Sequence, residues 1–306
     1  MVTRRQAIRI GALAGLGLTF DWRVFSAETL TTRAIPSTGE RLPVIGLGTN
    51  RYGASTAEER APLREVLRRM PELGATVIDT APAYGRSEEV LGDLLAELGN
   101  RNRYFLATKV TAPDGSAEQG KAMLEESVRR LRTSRLDLVQ VHNLNGVEEM
   151  MPVLRAWKES GKIRYLGVTT SNTEAHARMA EIMKRHTLDF VQVDYSLGNR
   201  AAAQRILPLA QERRIAVLVN MPLGGRRGNL LDKVGERPLP PWAGELEARS
   251  WAQFFLKYCV SHPAVTCAIP GTTKVRHLED NLAAARGVLP DEPTRARMET
   301  YWDALG

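Results

Sequence analysis

A chain of 306 residues is long enough for one large α/β domain with a complete core. An apolar share of 43% and a charged share of 25% are those of an ordinary globular protein and exclude a disordered or low-complexity chain. The net charge of +7 is inflated by residues 1–27, where Arg4, Arg5, Arg9 and Arg23 face only Asp21; the rest holds 38 basic against 34 acidic side chains, too slight an excess for a nucleic-acid surface.

Residues 1–27 read as a targeting segment. Thr3-Arg4-Arg5-Gln6-Ala7-Ile8-Arg9 precedes the Gly-rich apolar run 10–20, whose 11 residues are too few to span a bilayer. The paired arginines resemble a twin-arginine signal, with Ala7 where that signal prefers a larger apolar residue. This implies export to the periplasm through the twin-arginine translocase, with Val24, Ser26 and Ala27 as small residues near a cleavage point; an uncleaved membrane anchor and a cytoplasmic protein are the alternatives. The mature domain then begins near residue 28 and runs to 306.

Residues 30–35 and 41–42, joined by a turn with Pro36 and Gly39, predict a small hairpin. Eight short apolar runs follow, at 44–48, 76–79, 104–110, 136–142, 164–169, 190–195, 216–221 and 265–270. The first seven begin 26 to 32 residues apart, the length of a strand, a helix and two loops. Helical stripes lie between them, clearest at 87–98, 118–131, 147–159 and 201–213. In the first of these, Ser87 reads as an N-cap ahead of Glu88 and Glu89. The pattern predicts an α/β fold, a closed (β/α)8 TIM barrel with an N-terminal hairpin and a final helix within 291–305. An open doubly wound sheet is the alternative, but no Gly-rich dinucleotide fingerprint follows the first strand. The gap before the eighth strand includes 224–242, rich in Gly, Pro and charge, which reads as a loop.

The second strand ends at Asp79, and Tyr84 lies in the loop beyond it; the third ends near Lys109 and the fourth at His142. In a closed barrel all C-terminal strand ends meet at one mouth, so a carboxylate, a phenol, an ammonium and an imidazole converge. A nearby ammonium stabilises phenolate and is expected to lower the pKa of Tyr84 from its ordinary value of ~10. Asp79 would hold the Lys109 head group by a charged hydrogen bond. A phenol tuned this way delivers a proton to a carbonyl oxygen that a neutral His142 orients. With no Ser, Cys or metal site in evidence to attack the carbon, a hydride from a nicotinamide fits the remaining role.

These residues sit in LPVIGLGT, VIDTAPAYGRSEEVLG, LATKV, DLVQVHN, GKIRYLGVTT, VQVDYS and IPGTTKVRHLEDN, and through them the chain resembles an aldo-keto reductase over nearly all of residues 30–290. The resemblance implies a catalytic tetrad of Asp79, Tyr84, Lys109 and His142. It implies NADP, with NAD as the alternative, laid across the mouth without a Rossmann fold. Thr49 would lie near the nicotinamide and Gln192 would bond its carboxamide, with Thr169 and Thr170 where the family carries Ser-Asn. Leu223 would line the cofactor path after the seventh strand, where Asn220 replaces the usual stacking aromatic. Thr272 and Lys274 would face the phosphates, with Arg276 nearby, and Asp280 and Asn281 the adenine. A small-molecule carbonyl substrate, a monomer and no nucleic acid follow from the same likeness. A nicotinamide-binding sensor and a cofactor-recycling alcohol or sugar dismutase are alternatives on the same residues.

Other features read as structure. Residues 115–121 match the start of a phosphate loop, but Ala122 lacks the hydroxyl that magnesium needs. His176, His186, His262 and His277 lack metal-ligand spacing, so no metal is expected. Cys259 and Cys267 read as buried thiols, and Trp157, Trp251 and Trp302 as core. Arg51, Tyr52 and Trp242 are candidates for lining a substrate pocket.

Overall fold

A computed structural model describes residues 29–225 and 228–305. The segment read as an export signal, residues 1–27, lies outside the described residues. Strands β1 (Thr32–Ala34) and β2 (Arg41–Pro43) form the predicted antiparallel hairpin. The eight runs become β3 (Leu47–Gly48), β4 (Val77–Asp79), β5 (Phe105–Val110), β6 (Leu136–His142), β7 (Ile163–Thr169), β8 (Phe190–Asp194), β9 (Ala216–Asn220) and β10 (Val265–Ala268). They pair in parallel, in sequence order.

The sheet closes on itself, which rules out the open alternative. Ile45 and Gly48 bridge in parallel to Ala268 and Gly271, and the Gly46 amide donates to the Ala268 carbonyl at 2.8 Å. The run at 44–48 is therefore shared between two neighbours, and only its last two residues form a regular ladder with β4. The seam is tight: a Cβ on Gly46 would stand 2.8 Å from the Val77 oxygen, and one on Gly48 2.8 Å from the Ile269 oxygen. Any larger residue would push the closing strand off its partners.

Helices α1 (Ala57–Arg69), α2 (Ser87–Leu98), α3 (Ala117–Arg130), α4 (Val147–Glu159), α5 (His176–Arg185) and α6 (Ala201–Glu212) connect successive strands up to β9. The stretch read as a plain loop at 224–242 contains a short helix, α7 (Leu230–Val234), and runs into a 3-10 segment, Pro241–Leu246, before α8 (Trp251–Ser261). Helix α9 (Val275–Ala283) follows β10, and α10 (Glu292–Asp303), capped by Asp291, ends the chain.

Strand side chains alternate between two cores, as the two-residue period requires. Leu106, Val139, Val141, Val191 and Val217 face outward into the helix layer. Phe105, Leu138, Tyr165, Phe190 and Leu218 face inward, where Ile35 and Leu42 of the hairpin join them and stop the lower end of the barrel. The rings of Phe105, Tyr165 and Phe190 pack with centroids 5.5 to 5.8 Å apart. Truncating one to Ala would cost about 3–5 kcal/mol. With that end filled, the inward positions at the opposite ends of the strands are left to form the site.

Cys259 and Cys267 are free and buried, and Trp157 and Trp302 are buried in the helix layer. The resemblance to a phosphate loop is resolved as the start of α3: Ser116 caps it and Gly120 is pressed against Met150.

Candidate active site

Counting by twos along the strands, the inward positions towards the mouth include Asp79 on β4, Lys109 on β5, His142 on β6, Thr169 on β7 and Gln192 on β8. The rule that fills the barrel with apolar side chains places a polar set above them. These residues meet in a cleft of about 1160 Å³. A second cleft, about 700 Å³, opens at the opposite end between Arg101, Arg135 and Arg164 and holds none of this chemistry.

The centre of the set is Lys109, 1% exposed. Its Nζ donates to Asp79 Oδ2 at 2.6 Å and to the Thr80 carbonyl at 2.8 Å. The other carboxylate oxygen, Oδ1, accepts from Gln192 Nε2 at 2.9 Å, and Gln192 Oε1 accepts from the Thr169 hydroxyl at 2.8 Å. Four strands are thus joined by one chain of hydrogen bonds. A buried charge pair with every partner in place is costly to form but hard to displace, so it fixes the positions of its neighbours.

Tyr84 reaches this centre from the loop after β4. A turn from Ala81 to Ser87, with Gly85 at φ +60°, folds the loop back over the strand end. The Lys109 ammonium lies 4.9 Å from the centre of the Tyr84 ring, and the His142 ring meets it edge-on, with centroids 6.2 Å apart. Phenol, ammonium and imidazole therefore share one opening.

Their proton affinities follow from burial and from one another. Burial alone would lower Lys109, but Asp79 and then Tyr84 more than offset it, and the ammonium is held above its ordinary value. Burial, aided by the Lys109 charge, depresses His142 to about 4, so the imidazole is neutral at physiological pH. Tyr84 corrects the expectation from sequence. Burial raises the phenol above its ordinary value, and the opposing pull of Lys109 does not overcome it, because the Asp79 charge beside the ammonium works against phenolate.

Ser87 also departs from its predicted role. It is the first residue of α2, with Arg86 at the cap position and no side-chain cap. Its hydroxyl instead donates to the Thr49 carbonyl at 2.7 Å. Thr49 in turn donates through both its amide and its hydroxyl to the Asp79 carbonyl, at 3.0 and 2.9 Å. A helix start and two strand ends are pinned beneath the site by residues whose types in sequence suggest only caps and turns. The strand-end position of Thr49 was the available signal; the pairing with Ser87 had none.

Of the residues assigned to a cofactor, Thr49, Thr169, Gln192 and Leu223 line the cleft; Thr170, Thr272, Lys274, Asp280 and Asn281 do not. The Thr170 hydroxyl turns away to accept from the Asn172 amide, and Ser171 lines the wall instead. Thr272 accepts from the Lys274 amide. Asp280 is engaged by Ser250 Oγ at 2.8 Å and Gln253 Nε2 at 2.7 Å, which ties α9 to the start of α8. Lys274 and Arg276 are exposed beside His277, which does line the cleft and whose pKa is lowered by burial and by those two cations. Among the pocket candidates, Arg51 lines the cleft. Tyr52 is fully buried with its hydroxyl on the Thr272 carbonyl, and Trp242 packs on Phe254. Asn50, two residues past β3, and Asn143, directly after β6, also line it and were not singled out by sequence.

A closed barrel with its polar constellation at the C-terminal ends of the strands defines the class: an enzyme of the (β/α)8 type. The chain belongs to the Aldo/keto reductase family, whose sequence pattern matches residues 44–299. It is 34% identical over 220 residues to Aldo-keto reductase YhdN of Bacillus subtilis (strain 168), a match that covers 66% of this chain and 64% of that one. It is 30% identical over 246 residues to Methylglyoxal reductase YeaE of Escherichia coli (strain K12), covering 79% and 85%. Among solved structures, an aldo/keto reductase from Klebsiella pneumoniae in complex with NADP and acetate superposes with a TM-score of 0.72 at 28% identity, over 86% of this chain and 93% of that one.

Proposed function

We propose that this chain is an NADP-dependent oxidoreductase that reduces small aldehydes or ketones to alcohols, with Tyr84 as the proton donor. The observation that carries the reading is the Lys109 ammonium, fixed by Asp79 at 2.6 Å and poised 4.9 Å from the Tyr84 ring beside a neutral His142. The residues present suit a nicotinamide dinucleotide. Thr169 and Gln192 line the cleft with a hydroxyl and an amide, the groups that a carboxamide requires, and Lys274 and Arg276 add two exposed cations beside His277 at its edge. The complexes of related structures with NADP and NADPH support the same choice.

NADPH, when bound, would supply a hydride for the carbonyl carbon. The π electrons of the C=O bond move to oxygen, and the Tyr84 hydroxyl gives that oxygen its proton. Burial keeps the phenol protonated at rest, and Lys109 stabilises the phenolate as it forms. His142, neutral, orients the carbonyl by a hydrogen bond. Asp79 keeps the ammonium in place, and Gln192 and Thr49 keep Asp79 in place.

Replacing Tyr84 by Phe should lower turnover of a carbonyl panel by roughly 10²–10⁴-fold while leaving NADPH affinity, followed by fluorescence, unchanged. Full retained turnover would remove the proposed acid.

The Arg4-Arg5 pair ahead of a short apolar run supports export by the twin-arginine route. Fractionation of cells expressing the full chain and its Arg4→Lys/Arg5→Lys variant tests this. The variant should stay in the cytoplasm, and equal distribution of the two would refute the route.

A further inference from the structure

The wall of the cleft is divided. On the half built from β3, β4, β5 and β6, which carries the phenol and the imidazole, the side chains beyond the strand ends are Asn50, Arg51, Tyr84 and Asn143. No Leu, Ile, Val, Met or Phe from that half lines the cleft among the described residues. The aliphatic lining lies on the other half, as Met221, Leu223, Leu231 and Ile269. Apart from Tyr84, no Phe, Trp or Tyr lines the cleft among the described residues.

Asn50 lies two residues beyond β3 and Asn143 directly after β6, so the two amides stand on either side of the β4 and β5 ends, beside Tyr84. Both are exposed, and neither side chain has a hydrogen-bond partner among the described residues. Each amide carries an acceptor oxygen and a donor nitrogen, the set that matches a hydroxyl group, which both gives and takes a hydrogen bond. An apolar or aromatic substrate that covered them would strip water from both amides without replacing its hydrogen bonds, and beyond the Tyr84 ring would find no apolar side chain on that side.

From this arrangement we infer that the substrate is a small hydroxylated carbonyl compound, of the size and polarity of a short hydroxyaldehyde or sugar, whose hydroxyls are read by Asn50 and Asn143. The inference rests on the reductase reading and narrows it. Asn143 has a second reason to be asparagine, since its φ of +53° lies in the left-handed region that Asn tolerates. A purely structural role there would govern folding and leave substrate choice untouched, so the two roles separate by measurement.

The test compares kcat/KM with NADPH for glyceraldehyde, propanal and benzaldehyde, in the wild type and in Asn50→Ala, Asn143→Gly and the double variant. Glycine keeps the backbone freedom at 143 while deleting the amide. Glyceraldehyde should exceed propanal by about tenfold or more, and each variant should lose about tenfold on glyceraldehyde, chiefly in KM, with propanal changed less than about twofold. Propanal or benzaldehyde reduced as well as glyceraldehyde by the wild type overturns the inference and needs no variant. So does a glyceraldehyde preference that survives in the double variant. A preference for succinic semialdehyde over glyceraldehyde, abolished in Arg51→Met, would overturn it in favour of charge recognition by Arg51. A protein that binds NADPH yet reduces none of these compounds would overturn the reductase reading itself, and this inference with it.

Discussion

The strongest constraint on the site is the pair Lys109–Asp79, and its removal can be done in two ways that separate stability from chemistry. Both side chains are almost fully buried, at 1% and 3% exposure, and 2.6 Å apart. In Lys109→Met the carboxylate keeps only Gln192 Nε2 on Oδ1, with no cation, inside the barrel. In Asp79→Asn the ammonium keeps the Thr80 carbonyl but no anion. Each single variant should lose about 3–5 kcal/mol of stability, because it strands one charge where water cannot reach it. The double variant strands none, and Gln192 still finds an acceptor in the new amide. Its loss should therefore fall short of the sum of the two by about 2–3 kcal/mol, near the upper end of coupling energies for residues in contact. Urea unfolding of the four proteins at neutral pH measures this, with a constant slope as the check that the unfolded states are comparable. Turnover should behave differently: all three variants should be at least ~100-fold slower than wild type, since the phenolate loses its cation or the cation its anchor. Losses that add to within about 0.5 kcal/mol would refute the view of the pair as mutually dependent buried charges. Recovery of turnover in the double variant would refute the role of Lys109 in tuning Tyr84.

Four further outcomes are expected. With His142 depressed to about 4 and Tyr84 raised above 10.0, neither of the two groups that face the carbonyl titrates near neutrality, so kcat/KM for reduction should be flat from about pH 5 to 9 and fall at higher pH as the phenol ionises; a break near 6.5 that vanishes in His142→Gln would contradict this. The same depression makes the folded chain bind fewer protons than the unfolded chain below pH 6.5, so stability should fall as pH drops from there towards 4, less steeply in His142→Gln. At Gly167 a Cβ would stand 2.3 Å from the Phe190 oxygen inside the ladder, so Gly167→Ala should lower the urea midpoint by an amount worth about 1–3 kcal/mol, and an unchanged midpoint would mean the two strands can part there. Ser87→Ala, which unties α2 from Thr49, should cost about 1–3 kcal/mol with turnover reduced only modestly; loss of activity without loss of stability would assign the hydroxyl a role in the chemistry.

The periodic features of this protein are written in its sequence. Strand and helix spacing gave the barrel, the strand ends placed Asp79, Lys109 and His142 at one mouth with Tyr84 in the loop beside them, and the family resemblance added Thr169 and Gln192. Those are properties of a residue and its near neighbours, so local chemistry suffices to read them. What tertiary structure decided concerns segments far apart along the chain. It turned Ser87 from a helix cap into a strut under Thr49, gave Asp280 to Ser250 and Gln253, and buried Tyr84 deeply enough to raise a pKa that its neighbour Lys109 alone would lower. It also put Asn50 and Asn143, 93 residues apart, on the same half of one rim. Hydrogen bonds and desolvation depend on distances of a few ångströms between such segments, and only the closed barrel fixes those distances.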